Sequence, residues 1–153
     1  MKIQSLLAED MVLADLSGRN RNDVLKELVD FLRNKKRISR PRDLFDKLIQ
    51  RETLGSTAIG EGVAIPHCKM KGLSAPLFIL AVSREGVPFE SLDGNPSHVF
   101  FLVISPPENP GLSLQILAAV AQLVRRTPRL TQKILNAPGV NGILDVIRTE
   151  EGS

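Results

Sequence analysis

The sequence is poor in the residue types on which disulfide-rich, zinc-binding and base-stacking proteins depend. Its 153 residues include one cysteine, two histidines and six phenylalanines, with no tryptophan or tyrosine. A single cysteine forms no internal disulfide, and together with two histidines it completes no zinc site unless carboxylates join. So few aromatic rings leave little surface for stacking nucleobases or sugars. These absences argue against a disulfide framework, a zinc centre and aromatic base recognition.

Long hydrophobic runs and a one-sided charge are also missing. No apolar stretch reaches the roughly 18 residues of a membrane-spanning helix, and Glu9 and Asp10 come too early for a secretory signal peptide. The 20 basic and 17 acidic residues are interleaved and give a net charge of +3 and a pI of 9.3. This balance gives nucleic-acid binding little support. We expect one cytoplasmic domain over residues 1–153, without membrane insertion and without a nucleic-acid partner.

Apolar residues at helical spacing predict helices near both ends of the chain. Residues 22–34 carry one apolar stripe that would face a core. A second helix begins near Pro41, whose fixed φ suits a first turn, and stops before Gly55. Three further helices are predicted over residues 114–124, 128–135 and 140–147.

Nearly continuous apolar runs predict buried strands in the middle of the chain, over residues 63–65, 77–82 and 98–104. Residues 85–88 and 93–96 have turn composition, and residues 105–111 read as a loop. Helices on either side of a group of buried strands predict an α/β sandwich. The order of the strands does not follow from this pattern.

The stretch from Arg51 to His67 holds the candidate site. The loop over residues 55–62, between these two residues, holds three glycines and two hydroxyl side chains, namely Gly55, Gly60, Gly62, Ser56 and Thr57. Glycines let backbone N–H groups approach a ligand closely, and the planar guanidinium of an arginine matches phosphate oxygens. The GxxxxGK[ST] spacing of a nucleotide-binding P-loop is absent. The stretch therefore suits a phosphoryl group but not nucleotide hydrolysis.

His67 is the candidate nucleophile. A neutral imidazole is abundant at cytosolic pH, and a phosphoryl group on its ring nitrogen passes readily to another acceptor. Such a transfer needs in-line geometry and cations facing the phosphoryl oxygens. Pro66 would fix the direction of the following residue. The spacing alone leaves open that His67 simply ends a strand.

The other reactive side chains have simpler structural interpretations. His98 begins an apolar strand, and Cys68 points away from His67 if the backbone there is extended. No acidic pair has a spacing that requires acid–base chemistry. Two further sets are read as helix flanks and solvated helix ends: Asp43, Asp46 and Glu52, and Arg125, Arg126 and Arg129. The arginines could equally meet an acidic partner.

The stretch resembles the enzyme IIA domains of the bacterial phosphotransferase system, of the fructose/mannitol type, and especially their nitrogen-related members. The resemblance extends from Ser5 to Glu150 in the order of helices and strands. Its motif is Arg51-Glu52-x-Leu54-Gly55-Ser56-Thr57-x-Ile59-Gly60-x-Gly62-Val63-Ala64-Ile65-Pro66-His67.

The resemblance implies a three-layer α/β/α sandwich with a mixed central sheet. It implies a phosphohistidine at His67, charged by an HPr-like phosphocarrier, with Arg51 neutralising the phosphoryl oxygens. It also implies that Thr57 hydrogen-bonds in the site and that Ser56 helps to bind the phosphoryl group. No metal and no organic cofactor are implied.

The sequence departs from the family at two positions. Many members have a second histidine at the start of the helix that follows the last core strand, where this chain has Ser113. Serine can donate a hydrogen bond to a phosphoryl oxygen but carries no positive charge. Cys68 stands where the family usually has glycine, and an exposed thiol there would make the site sensitive to oxidation.

Three functions remain open at this stage. The first is a stand-alone phosphoryl carrier whose phosphorylation state selects regulatory targets, favoured because no linker to a second domain is evident. The second is a sugar-specific IIA component that passes phosphate to a IIB partner. The third is a binding module that never carries phosphate, which Ser113 and Cys68 would favour.

Overall fold

A computed structural model describes residues 1–152, and its centre is a six-stranded mixed sheet. The strands are β1 (Val12–Leu13), β2 (Ala58–Gly60), β3 (Val63–Ala64), β4 (His67–Lys69), β5 (Leu77–Val87) and β6 (Ser97–Ser105). The sheet order is β1-β5-β6-β3-β2, and β4 also pairs with β6 beyond β3. The long strands β5 and β6 are antiparallel to each other, whereas β3 and β4 run parallel to β6. β6 is therefore the strand on which the short strands assemble.

Five helices and two short 3₁₀ turns complete the chain. The helices are α1 (Arg21–Asn34), α2 (Pro41–Thr53), α3 (Pro110–Arg126), α4 (Leu130–Leu135) and α5 (Gly139–Glu151), and the 3₁₀ turns are Ile3–Ser5 and Glu9–Met11. The side chain of Asn20 accepts the N–H of Asp23 and so caps α1. Pro41 occupies the first turn of α2, as predicted. No helix of residues 1–152 combines the length and the hydrophobicity needed to cross a bilayer.

The helices cover both faces of the sheet, which confirms the predicted three-layer α/β/α sandwich. Alternate residues of β6 point to opposite faces. One face of β6 packs in a core with α3, α4 and α5, through Val99, Phe101 and Val103. The other face packs in a core with α1 and α2, through Phe100, Leu102 and Ile104. Because both cores share one sheet, the described chain is a single domain.

Several predicted boundaries were wrong. The segment expected as a turn at residues 85–88 continues β5 to Val87 through an irregularity in the pairing with β6. Gly86, at φ +85°, lies within that irregularity. The loop expected over residues 105–111 ends sooner, because α3 begins at Pro110. Three short strands, β1, β2 and β4, were not predicted at all.

The two ends of the described chain are tied together by one buried carboxylate. Glu151, at the end of α5, accepts the backbone N–H groups of Ile3 at 2.7 Å and Gln4 at 2.8 Å. The side chains of Lys2 and Gln4 donate to the carbonyl of Gly152, each at 2.9 Å. The carboxylate thereby satisfies N–H groups at the start of a 3₁₀ turn that would otherwise lack partners.

Candidate active site

His67 lies at the first residue of β4, next to the end of α2. It is in register with Val103 of the parallel strand β6, and α2 packs directly against β4. The short strand β4 is separated from β3 by Ile65 and Pro66, and Val103 donates its N–H to the carbonyl of Pro66 at 3.0 Å. The backbone on both sides of the imidazole is thus fixed by hydrogen bonds to β6.

The two ring nitrogens of His67 have different partners. Nδ1 lies 2.7 Å from the carbonyl oxygen of Ile65. A carbonyl only accepts, so Nδ1 carries the proton of the neutral ring and donates it to that oxygen. Nε2 then holds the lone pair, and the Nε–H of Arg51 points at it from 3.3 Å. The nitrogen available for bond formation is therefore Nε2.

Arg51 reaches the ring from the last turn of α2 and is fixed at a second point. Its Nη1 donates to the carbonyl of Gly55 at 2.8 Å, while its Nε faces His67. Gly55 has a φ of +153° and open space where a side chain would be. One guanidinium thus joins the helix end, the glycine loop and the imidazole.

Burial and charge keep the His67 ring neutral. The imidazole is partly buried, and loss of solvation is the main cause that lowers its pKa below 6.5. The hydrogen bond to Ile65 works in the opposite direction, and the positive charge of Arg51 lowers the pKa further. At neutral pH the ring is therefore an uncharged imidazole whose Nε2 lone pair faces Arg51.

A buried carboxylate holds the loop that leads to His67. Glu52 has 3% of its surface exposed and accepts the backbone N–H of Thr57 at 3.0 Å as well as the Thr57 hydroxyl. The carbonyl of Thr57 in turn accepts the N–H of Ile65 at 3.0 Å. Since the carbonyl of Ile65 anchors Nδ1, three hydrogen-bonded steps connect Glu52 to the His67 ring.

Burial raises the pKa of Glu52 above 4.5, and the two hydrogen bonds from Thr57 and the charge of Arg51 partly oppose that rise. The sequence predicts only a helix-flank position for Glu52 and gives no sign of its hydrogen bonds to Thr57. Nothing in the helical pattern distinguishes this glutamate from an exposed one. The only sequence feature that points to a role for Glu52 is its position, next to Arg51 and five residues before Thr57 in a glycine-rich loop.

The predicted hydroxyl residues lie at three different places. Thr57 is buried, and its hydroxyl is bonded to Glu52. Ser56 donates its hydroxyl to the carbonyl of Phe89 and accepts the N–H of Ala58 at 3.0 Å. Ser113 is buried in the first turns of α3. Thus the structure brings Arg51 directly to His67, and it places Thr57 and Ser56 in the loop that supports them.

Cys68 is an unreactive neighbour of His67. Its side chain packs in the core with α1 and α2, as an extended backbone at His67 predicts. Burial raises the pKa of the Cys68 thiol to about 12, with the charge of Lys47 opposing this. Because the thiolate is the oxidisable form, this raised pKa and the partial burial make Cys68 less prone to oxidation than the exposed thiol considered from the sequence.

The remaining candidates lie away from the His67–Arg51 pair. His98 is the second residue of β6, and its Nδ1 hydrogen-bonds the carbonyl of Ser83 at 2.9 Å, which agrees with the structural role predicted for it. The arginines of the α3–α4 connection lie on the opposite side of the sheet from α2. Within residues 1–152, no group of three His, Cys, Asp or Glu side chains is placed to hold a metal ion.

Comparison with protein families matches residues 5–150 to "Phosphoenolpyruvate-dependent sugar phosphotransferase system, EIIA 2". The nitrogen regulatory protein of Bradyrhizobium diazoefficiens is 35% identical, over 82% of this chain and 81% of that protein. The fructose-specific EIIABC component of Bacillus subtilis is 28% identical over 99% of this chain. This chain spans only 24% of the length of that component.

Solved structures share the fold. The nitrogen regulatory protein IIA-Ntr from Neisseria meningitidis superposes with a TM-score of 0.82 at 24% identity, covering 95% of this chain and 99% of that one. Enzyme IIAMTL from Escherichia coli, in its complex with phosphorylated enzyme IIBMTL, superposes with a TM-score of 0.73 at 13% identity, covering 92% and 96%. At these identities the likeness establishes the architecture. Taken with the family match over residues 5–150, it confirms the resemblance found in the sequence: the chain belongs to the EIIA 2 family of the phosphoenolpyruvate-dependent sugar phosphotransferase system.

Proposed function

We propose that the chain is a phosphoryl carrier that accepts a phosphoryl group on Nε2 of His67 and serves a regulatory role. The observation that carries the proposal is the 3.3 Å approach of Arg51 Nε to a ring nitrogen whose partner, Nδ1, is occupied by a carbonyl. Family membership supports the same reading, since it places the chain in a phosphotransferase system. The donor is an HPr-like phosphocarrier.

The transfer needs no proton to be removed from His67. The Nε2 lone pair attacks phosphorus, the bond between phosphorus and the donor nitrogen breaks, and its electron pair returns to the donor. The Nδ1 proton remains on the hydrogen bond to Ile65. The ring gains positive charge as the new bond forms, and the Ile65 carbonyl stabilises that charge. The absence of a carboxylate from the His67 contacts of the described chain agrees with this chemistry.

Arg51 supplies the positive charge for the phosphoryl oxygens. Bond formation consumes the lone pair that its Nε–H now faces, so the guanidinium loses one partner as the phosphoryl group arrives at the same place. Guanidinium–phosphate hydrogen bonds are charge-assisted and directional. The contact with Gly55 holds Arg51 near its working position before the donor docks, which reduces reorganisation during transfer.

The hydroxyl residues support this pair. We assign to Thr57 the task of transmitting the Glu52 contact to the backbone that anchors His67, and to Ser56 the task of fixing the same loop to Phe89. Ser113 is the candidate for a further hydrogen bond from α3, in the place where many members have a second histidine.

The regulatory assignment draws on the relatives that this chain matches nearly end to end. The nitrogen regulatory protein of Pseudomonas aeruginosa is 24% identical over 96% of this chain and 95% of its own length. The alternative, a sugar-specific IIA component that passes phosphate to IIB, is favoured by relatives named fructose-specific, such as the EIIA component of Haloferax volcanii at 25% identity. In both cases His67 would carry the phosphoryl group.

Labelling tests the carrier function directly. The chain is incubated with radiolabelled phosphoenolpyruvate, enzyme I and an HPr-like carrier. We expect one acid-labile, alkali-stable phosphate, absent from His67→Ala and retained in His98→Gln. Incorporation that survives in His67→Ala would move the site elsewhere, and no incorporation into the unaltered chain would leave only a binding module.

The same labelled protein separates regulation from transport. It is mixed with IIB domains of the fructose and mannitol types, and the label is followed over time. A regulatory carrier keeps most of its phosphate or returns it to the HPr-like donor. Rapid and complete transfer to either IIB domain would contradict the regulatory assignment and support the sugar-specific one.

A further inference from the structure

A groove lies at the end of the sheet opposite to His67. The turn between β2 and β3 pairs with the beginning of β6, where His98 and Val99 donate to the carbonyl of Gly62 at 2.8 and 3.0 Å. His67 is aligned instead with Val103, near the end of β6. The groove has a volume of about 620 Å³ and runs between this turn and the α3–α4 connection. It is lined by Ile59, Glu61, Ala121, Val124, Arg125, Thr127, Pro128, Arg129 and Leu130.

The two walls of the groove are fixed to each other. Thr131 in α4 donates its hydroxyl to the carbonyl of Glu61 at 2.6 Å. Gly62 has a φ of +76°, and a Cβ there would lie 3.0 Å from the Thr131 methyl group. Any larger residue at Gly62 would push the turn away from α4. A ligand therefore meets a preformed groove and need not order it.

The lining combines apolar and basic side chains. Ile59 is an exposed aliphatic side chain on the edge strand β2, with 44% of its surface accessible. Among residues 1–152 Arg125 has no hydrogen-bond or ion-pair partner, and the guanidinium of Arg129 bonds only to the neutral amide oxygen of Gln132. The single acidic residue in the lining, Glu61, forms no ion pair with either arginine.

This combination favours an acidic protein segment over a nucleic acid. The groove contains no aromatic ring on which a base could stack. A short peptide that carries a leucine or isoleucine between carboxylates satisfies both parts of the lining, since the aliphatic side chain covers Ile59 and the carboxylates meet the arginines.

We propose that this groove is a second docking surface, which binds an acidic segment with an apolar anchor from a partner protein. It does not depend on whether His67 carries phosphate. Because it lies at the far end of β6, a partner held there leaves His67 accessible to a phosphocarrier. A target could then stay bound while the phosphorylation state of His67 changes.

The test uses the full ¹⁵N-labelled chain and a short synthetic peptide of glutamate, aspartate and leucine. We expect saturable amide shifts confined to Ile59, Ala121, Leu130 and their neighbours. Arg125→Glu and Arg129→Asn should each weaken binding about tenfold, because each removes one charge-assisted contact. Asparagine suits position 129 because Arg129 has a φ of +65°, which asparagine tolerates.

The control is Arg42→Glu, which makes the same charge change as Arg125→Glu on the exposed side of α2 outside the groove, and it should bind the peptide as the unaltered chain does. His67→Ala should also bind normally, which separates this proposal from the carrier function. The proposal is overturned if Arg42→Glu weakens binding as much, or if shifts spread over other basic surfaces. It is likewise overturned if inorganic phosphate reproduces the shifts or if a single-stranded oligonucleotide binds the groove more tightly than the peptide.

Discussion

The two histidines of the chain make the same backbone contact and differ in what faces their other ring nitrogen. Nδ1 of His67 bonds to the carbonyl of Ile65, and Nδ1 of His98 bonds to the carbonyl of Ser83. At His67 the guanidinium of Arg51 approaches Nε2. At His98 the backbone of Gly86 packs so closely that an added Cβ would lie 2.9 Å from Nε2.

His67 lies in an environment suited to reaction, whereas the environment of His98 serves packing. Both imidazole rings are oriented by a hydrogen bond to a carbonyl. Orientation alone therefore does not make a ring suited to phosphoryl transfer. Only His67 combines a directed lone pair with an adjacent permanent cation, which is the arrangement that phosphoryl transfer requires. His98 instead supports the irregularity in β5 at Gly86.

Loss of the cation should have the largest effect. Arg51→Gln removes the charge near Nε2 but keeps a polar side chain, and we expect the rate of phosphoryl transfer to His67 to fall about 10²–10³-fold, as for the loss of one preorganised electrostatic contact. Labelling reactions quenched at set times, at several donor concentrations, measure this rate. Arg51→Lys should recover part of the rate. If Arg51→Gln transferred phosphate at the normal rate, Arg51 would have no role in the reaction.

Removal of the buried carboxylate should act on both stability and transfer. Glu52→Ala leaves two donors of Thr57 without partners, and we expect the free energy of unfolding to drop by about 2–4 kcal/mol. Glu52→Gln keeps an acceptor and should lose less than half of that. Denaturant titration gives the stability, and the ¹⁵N chemical shifts of the His67 ring report whether Nδ1 still bonds to Ile65.

The pH dependence of the Glu52 comparison has a defined sign. Because the folded protein raises the pKa of Glu52 above 4.5, its stabilising contribution is complete below that pH and declines as pH rises through the folded pKa. The stability of the unaltered chain relative to Glu52→Gln should therefore decrease as pH rises from 4.5. The opposite trend would mean that the carboxylate is stabilised as an anion.

A substitution that disturbs the packing of His98 should lower the stability of the fold without changing phosphoryl transfer to His67. Gly86→Ala places a methyl group 2.8 Å from Cε1 of His98 at a φ of +85°, which we expect to destabilise the fold by about 2 kcal/mol. The initial rate of His67 labelling in folded protein should stay the same. Transfer that slows in proportion to the lost stability would show that the two histidine environments are coupled through β6.

The smallest predicted effect is a displaced pH profile. Protonated imidazole has no lone pair on Nε2, so transfer stops when His67 is protonated. Burial, aided by Arg51, lowers the pKa of His67 below 6.5, and the midpoint at which the rate falls on acidification should therefore lie below pH 6.5. In Arg51→Lys a cation is kept, so its profile should lie closer to that of the unaltered chain, whereas that of Arg51→Gln should fall at a higher pH.

The helical layers and the long strands could be predicted from the sequence because their signals are repeated many times. The apolar stripe of α1 recurs over 14 residues and that of α2 over 13, and β5 and β6 are nearly continuous apolar runs. The family motif also identified the residues of the candidate site. Here the pattern and the structure agree because burial on one helix face or inside a sheet determines each residue type.

The arrangement around His67 could not be predicted because its elements are too short to carry a pattern. β2 and β4 have three residues each and exist only because β3 and β6 offer them partners. The contact of Nδ1 with Ile65 involves a carbonyl, which every residue has. Glu52 is buried by tertiary packing that no helical period reveals. Such contacts depend on neighbours distant in sequence, and local propensity does not contain them.

The hydrogen bonds from Ile3 and Gln4 to Glu151 hold the two ends of the described chain side by side. Residues 3 and 151 are adjacent in space, so a short peptide joining the two ends should preserve the fold while new ends are opened at the fully exposed Leu92. A circularly permuted chain of this kind would carry tags, fluorophores or fused proteins at a turn of our choosing. We therefore expect the contact at Glu151, rather than the order of the elements along the chain, to keep the first and last elements of the sandwich together.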